Sequence, residues 1–252
     1  MNARTKSLFH FTKSLNTLKL ILNEGFWPQY CLEDIKWLDN GPPFLGWPMV
    51  SFCDIPISRL GKHTEFYGCY GVGLYRERWM DNGVNPIFYV SPKSIIKPSL
   101  AEMLAKERKN FDGRSRTNAI VVLAHCKPLK GLQKRNGEMR EKDFYGECEW
   151  RYIQWVDAFD RENKYGFSLT ETQFNDPKVR EDANNERRKH LLGPIVPADI
   201  THLLVKSVED AYELVRFIDE EYWRSEDAHF PDNILFVLKS RILVLDDILH
   251  DN

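Results

Sequence analysis

No unbroken apolar run in this chain is longer than the six residues 119–124. That limit decides most of what the chain can fold into. A helix that crosses a bilayer needs about 20 consecutive apolar residues, so no membrane span is expected. Runs of four to eight suit single buried strands, and the other apolar residues recur at alternate positions or at every third and fourth. A core must therefore be assembled from many short elements of both kinds, and 252 residues are enough to bury one. The expectation is a mixed α+β domain.

The pattern can be followed along the chain. Residues 7–12 alternate and read as a strand. Leu15, Leu18, Ile21 and Leu22 then recur at helical spacing, with Ser14 as N-cap and Gly25 as the stop. Residues 26–48 are rich in Trp, Pro and Gly and read as a long ordered loop, with one short helix near 32–38. Strands are predicted at 49–53, 67–74, 87–90, 118–126, 145–155, 200–205 and 234–238, and helices at 76–82, 99–110 and 208–223. Residues 242–249 close the chain. Residues 160–189 are charged and lack an apolar period, so they read as an insertion or mobile loop. There is no repeat, low-complexity tract or linker, which predicts a single domain over 1–252.

Charge and cysteines narrow the function classes. The formal net charge of −2 gives no global field towards nucleic acid, although 127–142 and 187–189 carry local basic clusters. Cys31, Cys53, Cys69, Cys126 and Cys148 are odd in number and widely spaced, without C-x-x-C. That fits neither a zinc site nor a disulfide framework, and free thiols in a reducing cytoplasm are expected. The first seven residues are polar and basic, and an interrupted amphipathic segment follows, so neither a signal nor a transit peptide is expected.

Three segments could carry chemistry. On a strand, His10 and Thr12 share one face while Phe9 and Phe11 share the other. The polar face could hold a ligand hydroxyl or simply meet water. In Glu147-Cys148-Glu149-Trp150-Arg151 the same period puts Glu147, Glu149 and Arg151 on one face and Cys148, Trp150 and Tyr152 on the core side. Two carboxylates beside a guanidinium are either a surface ion pair or a catalytic carboxylate tuned by its neighbours. In Tyr67-Gly68-Cys69-Tyr70-Gly71-Val72-Gly73-Leu74 the glycines match neither the phosphate-binding nor the dinucleotide fingerprint. They flank two tyrosines, which suits rings stacking on a flat ligand or a tightly packed strand.

These pieces in order resemble a known family. The segments 8–12, Leu18-x-x-Ile21-Leu22-x-x-Gly25, 48–56, Tyr67-Gly68-x-Tyr70-Gly71-x-Gly73-Leu74 and Glu147-x-Glu149-Trp150-Arg151 look like the AbiGi family of abortive phage infection proteins, which carries the label of antitoxin. The resemblance covers roughly residues 8–152. It implies a role in phage defence and a cognate toxin or other defence-system protein as partner.

The opening His10-Phe11-Thr12, helix, glycine also resembles ADP-ribosyltransferase-type domains, DarT among them. That likeness implies a mixed, mostly antiparallel sheet with flanking helices, and NAD as a substrate. It implies a site in which His10 and Thr12 fix ribose hydroxyls, Ser51, Tyr67 or Tyr70 supplies the middle element, and Glu147 or Glu149, beside Arg151, supplies the catalytic carboxylate. A carboxylate near the ribose would stabilise the cation formed as the nicotinamide bond breaks. Nucleic acid would enter only as an acceptor.

Two other readings stand beside the transferase. One is a binding protein, the antitoxin itself, without catalysis. The other is a metal-dependent nuclease, for which Glu149-x-Arg151 is a poor match because arginine cannot act as a base.

Overall fold

The alternating strand at the start and the capped helix after it both form. In the computed structural model, which describes residues 5–38, 42–109, 113–135, 138–155, 164–222 and 230–250, β1 spans Ser7–Thr12 and α1 spans Leu15–Glu24. The Ser14 side chain accepts from the Thr17 N–H, and Gly25 ends the helix at a φ of 89°.

The chain continues as β2 (Gln29–Asp34), β3 (Phe44–Cys53), α2 (Gly61–Tyr67), β4 (Tyr70–Tyr75) and α3 (Arg76–Asp81). Next come β5 (Asn85–Pro86), β6 (Phe88–Val90), α4 (Ile96–Lys109), α5 (Gly113–Ala124) and β7 (Cys126–Pro128). Then follow β8 (Lys130–Arg135), β9 (Glu138–Asp143), β10 (Glu149–Ile153), β11 (Leu169–Thr170), α6 (Glu171–Asn175) and α7 (Pro177–Arg187). The last elements are β12 (Ile200–Val205), α8 (Val208–Glu220), α9 (Asp232–Lys239), β13 (Ile242–Val244) and α10 (Leu245–His250). The architecture is α+β. β12–β13 and β6–β7 pair in parallel, and β1–β3, β1–β4, β2–β3, β3–β11, β4–β12, β5–β10 and β8–β9 pair antiparallel.

Contacts divide the chain into two compact units. The first comprises residues 1–26, 52–83 and 191–252. Its sheet runs β13-β12-β4-β1 and then the last residues of β3, with Phe9 opposite Cys53. Along β1 and β4 the register runs from Ser7 opposite Tyr75 to Thr12 opposite Tyr70. Phe9 and Phe11 pack with Cys53, Ile55, Leu60, Leu204 and Leu245 on one side of this sheet. Gly73 permits the close approach of β1 to β4, because a Cβ there would lie 2.7 Å from the Phe9 ring.

The second unit comprises residues 27–51 and 84–190. Here β3 pairs with β2 and β11 and neighbours β10, which pairs with β5. Its core gathers Trp47 and Met49 from β3, Leu100 from α4, Leu123 and Ala124 from α5, and Phe167.

Four local expectations are corrected. Residues 26–48 are not a loop with a helix. They form most of the β2–β3 hairpin, with Tyr30 opposite Pro48. Pro48 and the neighbouring glycine hid the strand, since proline argues against an inner strand by its missing donor. Residues 118–124 belong to the helix α5 and 234–238 to the helix α9, where strands were expected. Short apolar runs suit either form, and the packing decides. Residues 160–163 lie outside the described residues, but 171–187 form α6 and α7 instead of an irregular insertion. Thr170 and Asp176 cap these helices, and Ala183 is fully buried beside Tyr30, Tyr165 and Leu169. Capping and a few buried contacts replace the long apolar period that the sequence lacks.

Candidate functional site

The residues expected to form a site fall into two groups. His10, Thr12, Tyr67 and Tyr70 belong to the first unit, and Ser51, Glu147, Glu149 and Arg151 belong to the second.

In the first unit His10 is half-buried against aromatic edges. Its ring lies 5.0 Å from that of Phe26 and 5.8 Å from that of Phe52. Thr12 pairs with Tyr70 across the strands. Tyr67 is the last residue of α2 and not part of a glycine-rich strand, and its ring sits 4.5 Å from His63. The Tyr70 hydroxyl donates to Asp210 Oδ2 at 3.2 Å. Gly68 separates helix from strand at a φ of 113°, and a Cβ there would lie 2.1 Å from the Thr12 carbonyl oxygen.

In the second unit a buried charge network forms around β10. Arg151 is completely buried, Glu149 is 8% exposed and Glu147 is 6% exposed. The Arg151 Nε–H donates to Glu149 Oε1 at 2.7 Å, and Nη2 reaches Glu149 Oε2 at 3.2 Å. Nη1 donates to Glu33 Oε2 at 2.8 Å and to the Ala124 carbonyl at 2.5 Å, while Nη2 also binds Glu33 Oε1. The fork has about five N–H donors, and these contacts use all of them. One guanidinium thereby ties β10 to β2 and to the end of α5.

The Glu149 carboxylate is equally filled. Oε1 accepts from Ser51 Oγ at 2.9 Å as well as from Arg151, and Oε2 accepts from Lys127 Nζ at 3.0 Å. Lys127 also lies 3.5 Å from both Glu33 and Glu147, and Lys142 Nζ lies 2.5 Å from Glu147 Oε1. Three carboxylates therefore face three cations. The Glu149 N–H donates to the Tyr89 hydroxyl at 2.8 Å.

The protonation states follow from this geometry. Burial works against ionisation of Glu149, but Arg151 and Lys127 outweigh it and hold its carboxyl well below the usual range. Burial likewise opposes the charges of Lys127 and Arg151. Glu149 and Glu33 overcome it and raise both above their ordinary values. At Lys142 burial prevails over Glu147, so its ammonium sits below the ordinary value. Burial pushes the Tyr89 phenol up, so its hydroxyl stays neutral.

Sequence alternation misplaced two features here. Glu147 does not sit on the strand with Glu149. It ends a 3-10 turn over Tyr145–Glu147, and Cys148 follows in a left-handed conformation with a φ of 46°. Glu147, Glu149 and Arg151 are buried and Cys148 is exposed, against expectation, while Trp150 is buried as expected. Glu33, Tyr89, Lys127 and Lys142 were not anticipated. Glu33 lay inside the presumed loop, and Lys127 sits on a three-residue strand too short to show a period. Among the described residues no three His, Cys, Asp or Glu side chains are grouped to hold a metal ion, and no helix is long and apolar enough to cross a membrane.

The sequence profile described as "Putative abortive phage resistance protein AbiGi, antitoxin" matches residues 24–206. The chain belongs to the AbiGi family. A relative, the abortive phage resistance protein AbiGi of Lactococcus lactis subsp. cremoris, is 25% identical over 257 residues, covering 90% of this chain and 99% of the relative. No solved structure matches the chain. Both the charge network around Glu149 and the β2–β3 hairpin lie inside the matched residues.

Proposed function

We propose that this chain serves in abortive phage infection as the antitoxin of a two-protein pair, acting by binding its partner. The family description supports the role. The observation that carries the binding mode is the saturation of Glu149. Its carboxylate accepts four hydrogen bonds from Ser51, Lys127 and Arg151, which fills the roughly four lone-pair sites of a carboxylate. A catalytic carboxylate must offer a free lone pair to its substrate. This one is committed to holding its own chain together.

The test is co-expression with the protein encoded beside this chain's gene. Growth arrest by that protein, relieved by this chain without any nicotinamide release from NAD, is the expected result. Growth arrest that this chain leaves unrelieved overturns the antitoxin role.

A second reading has one favourable contact. Two residues expected in an NAD site, Ser51 and Glu149, are hydrogen-bonded at 2.9 Å. On that reading the α+β sheet is of the ADP-ribosyltransferase type. NAD is the substrate, Glu149 or Glu147 is the catalytic carboxylate, and Ser51 and Arg151 are the partners of Glu149 in the second unit. Nicotinamide release by the purified chain in chelator, abolished by one of Glu149→Gln and Glu147→Gln and lowered less by the other, would establish it over the first.

A further inference from the structure

The eight-residue helix α9 carries five consecutive apolar residues, 234–238. A run of five apolar residues in a helix reaches every side of it, yet among the described residues α9 is covered on one side only. Leu238 is fully buried and Leu235 half-buried. At about 100° per residue, the direction opposite these two falls between Phe236 and Val237. Those residues are 70% and 45% exposed. Exposed Asn233 lies along that same outward direction, and the phenylalanine and the valine stand on either side of it.

The helix α8 packs beside α9, and Lys239 Nζ lies 2.7 Å from Asp219 Oδ1. Its outward side shows Tyr212, 74% exposed, while Leu214, Phe217 and Ile218 are buried on the opposite side. Around these aromatics the exposed charge is nearly all negative. Glu209, Glu220 and Asp232 are exposed, and Glu213 is exposed but paired with Lys19 at 2.6 Å, against the single exposed cation Arg216 on either helix.

We propose that this acidic, aromatic face of α8 and α9 is the docking surface for a basic protein partner, the toxin of the pair. The inference rests on the antitoxin reading. The apolar centre supplies anchors of the kind that dominate interfaces, and the acidic surround selects a positive counterpart. A second copy of this chain is a poor occupant, because a symmetric contact sets the same carboxylates against each other. An amphipathic helix presented to a groove is a recurrent mode of protein recognition.

The probe is the purified product of the neighbouring gene, titrated against the full chain. Phe236→Glu should weaken its binding by about 30-fold or more, the loss typical of a hot spot, with an unchanged melting temperature because the residue is exposed. Glu220→Lys with Glu209→Lys should slow association and flatten its salt dependence. Equal binding by parent and Phe236→Glu would overturn the surface and leave the antitoxin reading intact. Absence of binding by the parent would remove both. A parent dimer that Phe236→Glu splits into monomers would assign the face to self-association and overturn the hetero-partner.

Discussion

Glu149→Gln separates a structural carboxylate from one that works in an open cleft. The substitution keeps the shape and removes the charge. The amide offers one oxygen and one NH₂ group where the carboxylate offered two acceptors. If the oxygen stays near Ser51 and Arg151 Nε, the NH₂ meets Lys127 Nζ at 3.0 Å and Arg151 Nη2 at 3.2 Å, donor against donor. If the amide is flipped, Arg151 Nε faces the NH₂ group instead. Either way at least one buried N–H of Arg151 is orphaned, and the three-against-three balance with Glu33, Glu147, Lys127, Lys142 and Arg151 becomes a net buried positive charge. Breaking a buried pair from one side costs about 3–5 kcal/mol. For a chain of this size each kcal/mol moves the melting midpoint by roughly 2–4 °C, so a fall on the order of 10 °C is expected. Calorimetry or circular dichroism at neutral pH reads it. A carboxylate facing a wet cleft would give almost no change, and a fall of under about 2 °C would refute the network as the principal duty of Glu149.

The same carboxyl predicts acid sensitivity. Its folded-state value lies below the unfolded one, so its stabilisation is complete above the ordinary carboxylate range and is lost as pH falls through that range towards the folded value; Glu149→Gln should flatten the drop in melting midpoint on acidification. Arg151→Lys should destabilise nearly as much as Glu149→Gln, because a lysine has about three donors without the planar fork and five contacts now converge on one guanidinium; a melting curve like the parent's would refute this. Ser51→Ala removes one of four bonds to Glu149 and should cost only about 1 kcal/mol in a denaturant titration. Gly68→Ala should abolish soluble expression or lower stability by more than about 3 kcal/mol, since strain at positive φ adds to a backbone clash with Thr12.

The sequence made local structure legible wherever a single device sets it. The alternation of 7–12, the Ser14 cap and the Gly25 stop lie in consecutive residues, and all appear where they were read. The long amphipathic pattern of α8 was equally plain. What stayed hidden depends on partners distant in sequence. Pro48 within β3 looked like a loop residue until Tyr30 took its place opposite. Residues 119–124 look like a strand until α4 packs against them as a helix. Glu149 and Arg151 stood out by type. Their meaning comes from Glu33, 118 residues from Arg151, and from Lys127, to which no local period points.

The first unit is built from three stretches of chain, and the long wait between them has a consequence during synthesis. β4 ends at Tyr75, and the partner for its outer edge, β12, begins at Ile200. A ribosome adding about 5–20 residues per second leaves that edge, with Val72 and Leu74, without its neighbour for roughly 6–25 seconds. An open strand edge is a template for pairing with other chains. The second unit, encoded mostly within that interval, can finish first, while the nascent first unit stays a candidate for chaperone capture until its last sixty or so residues have emerged.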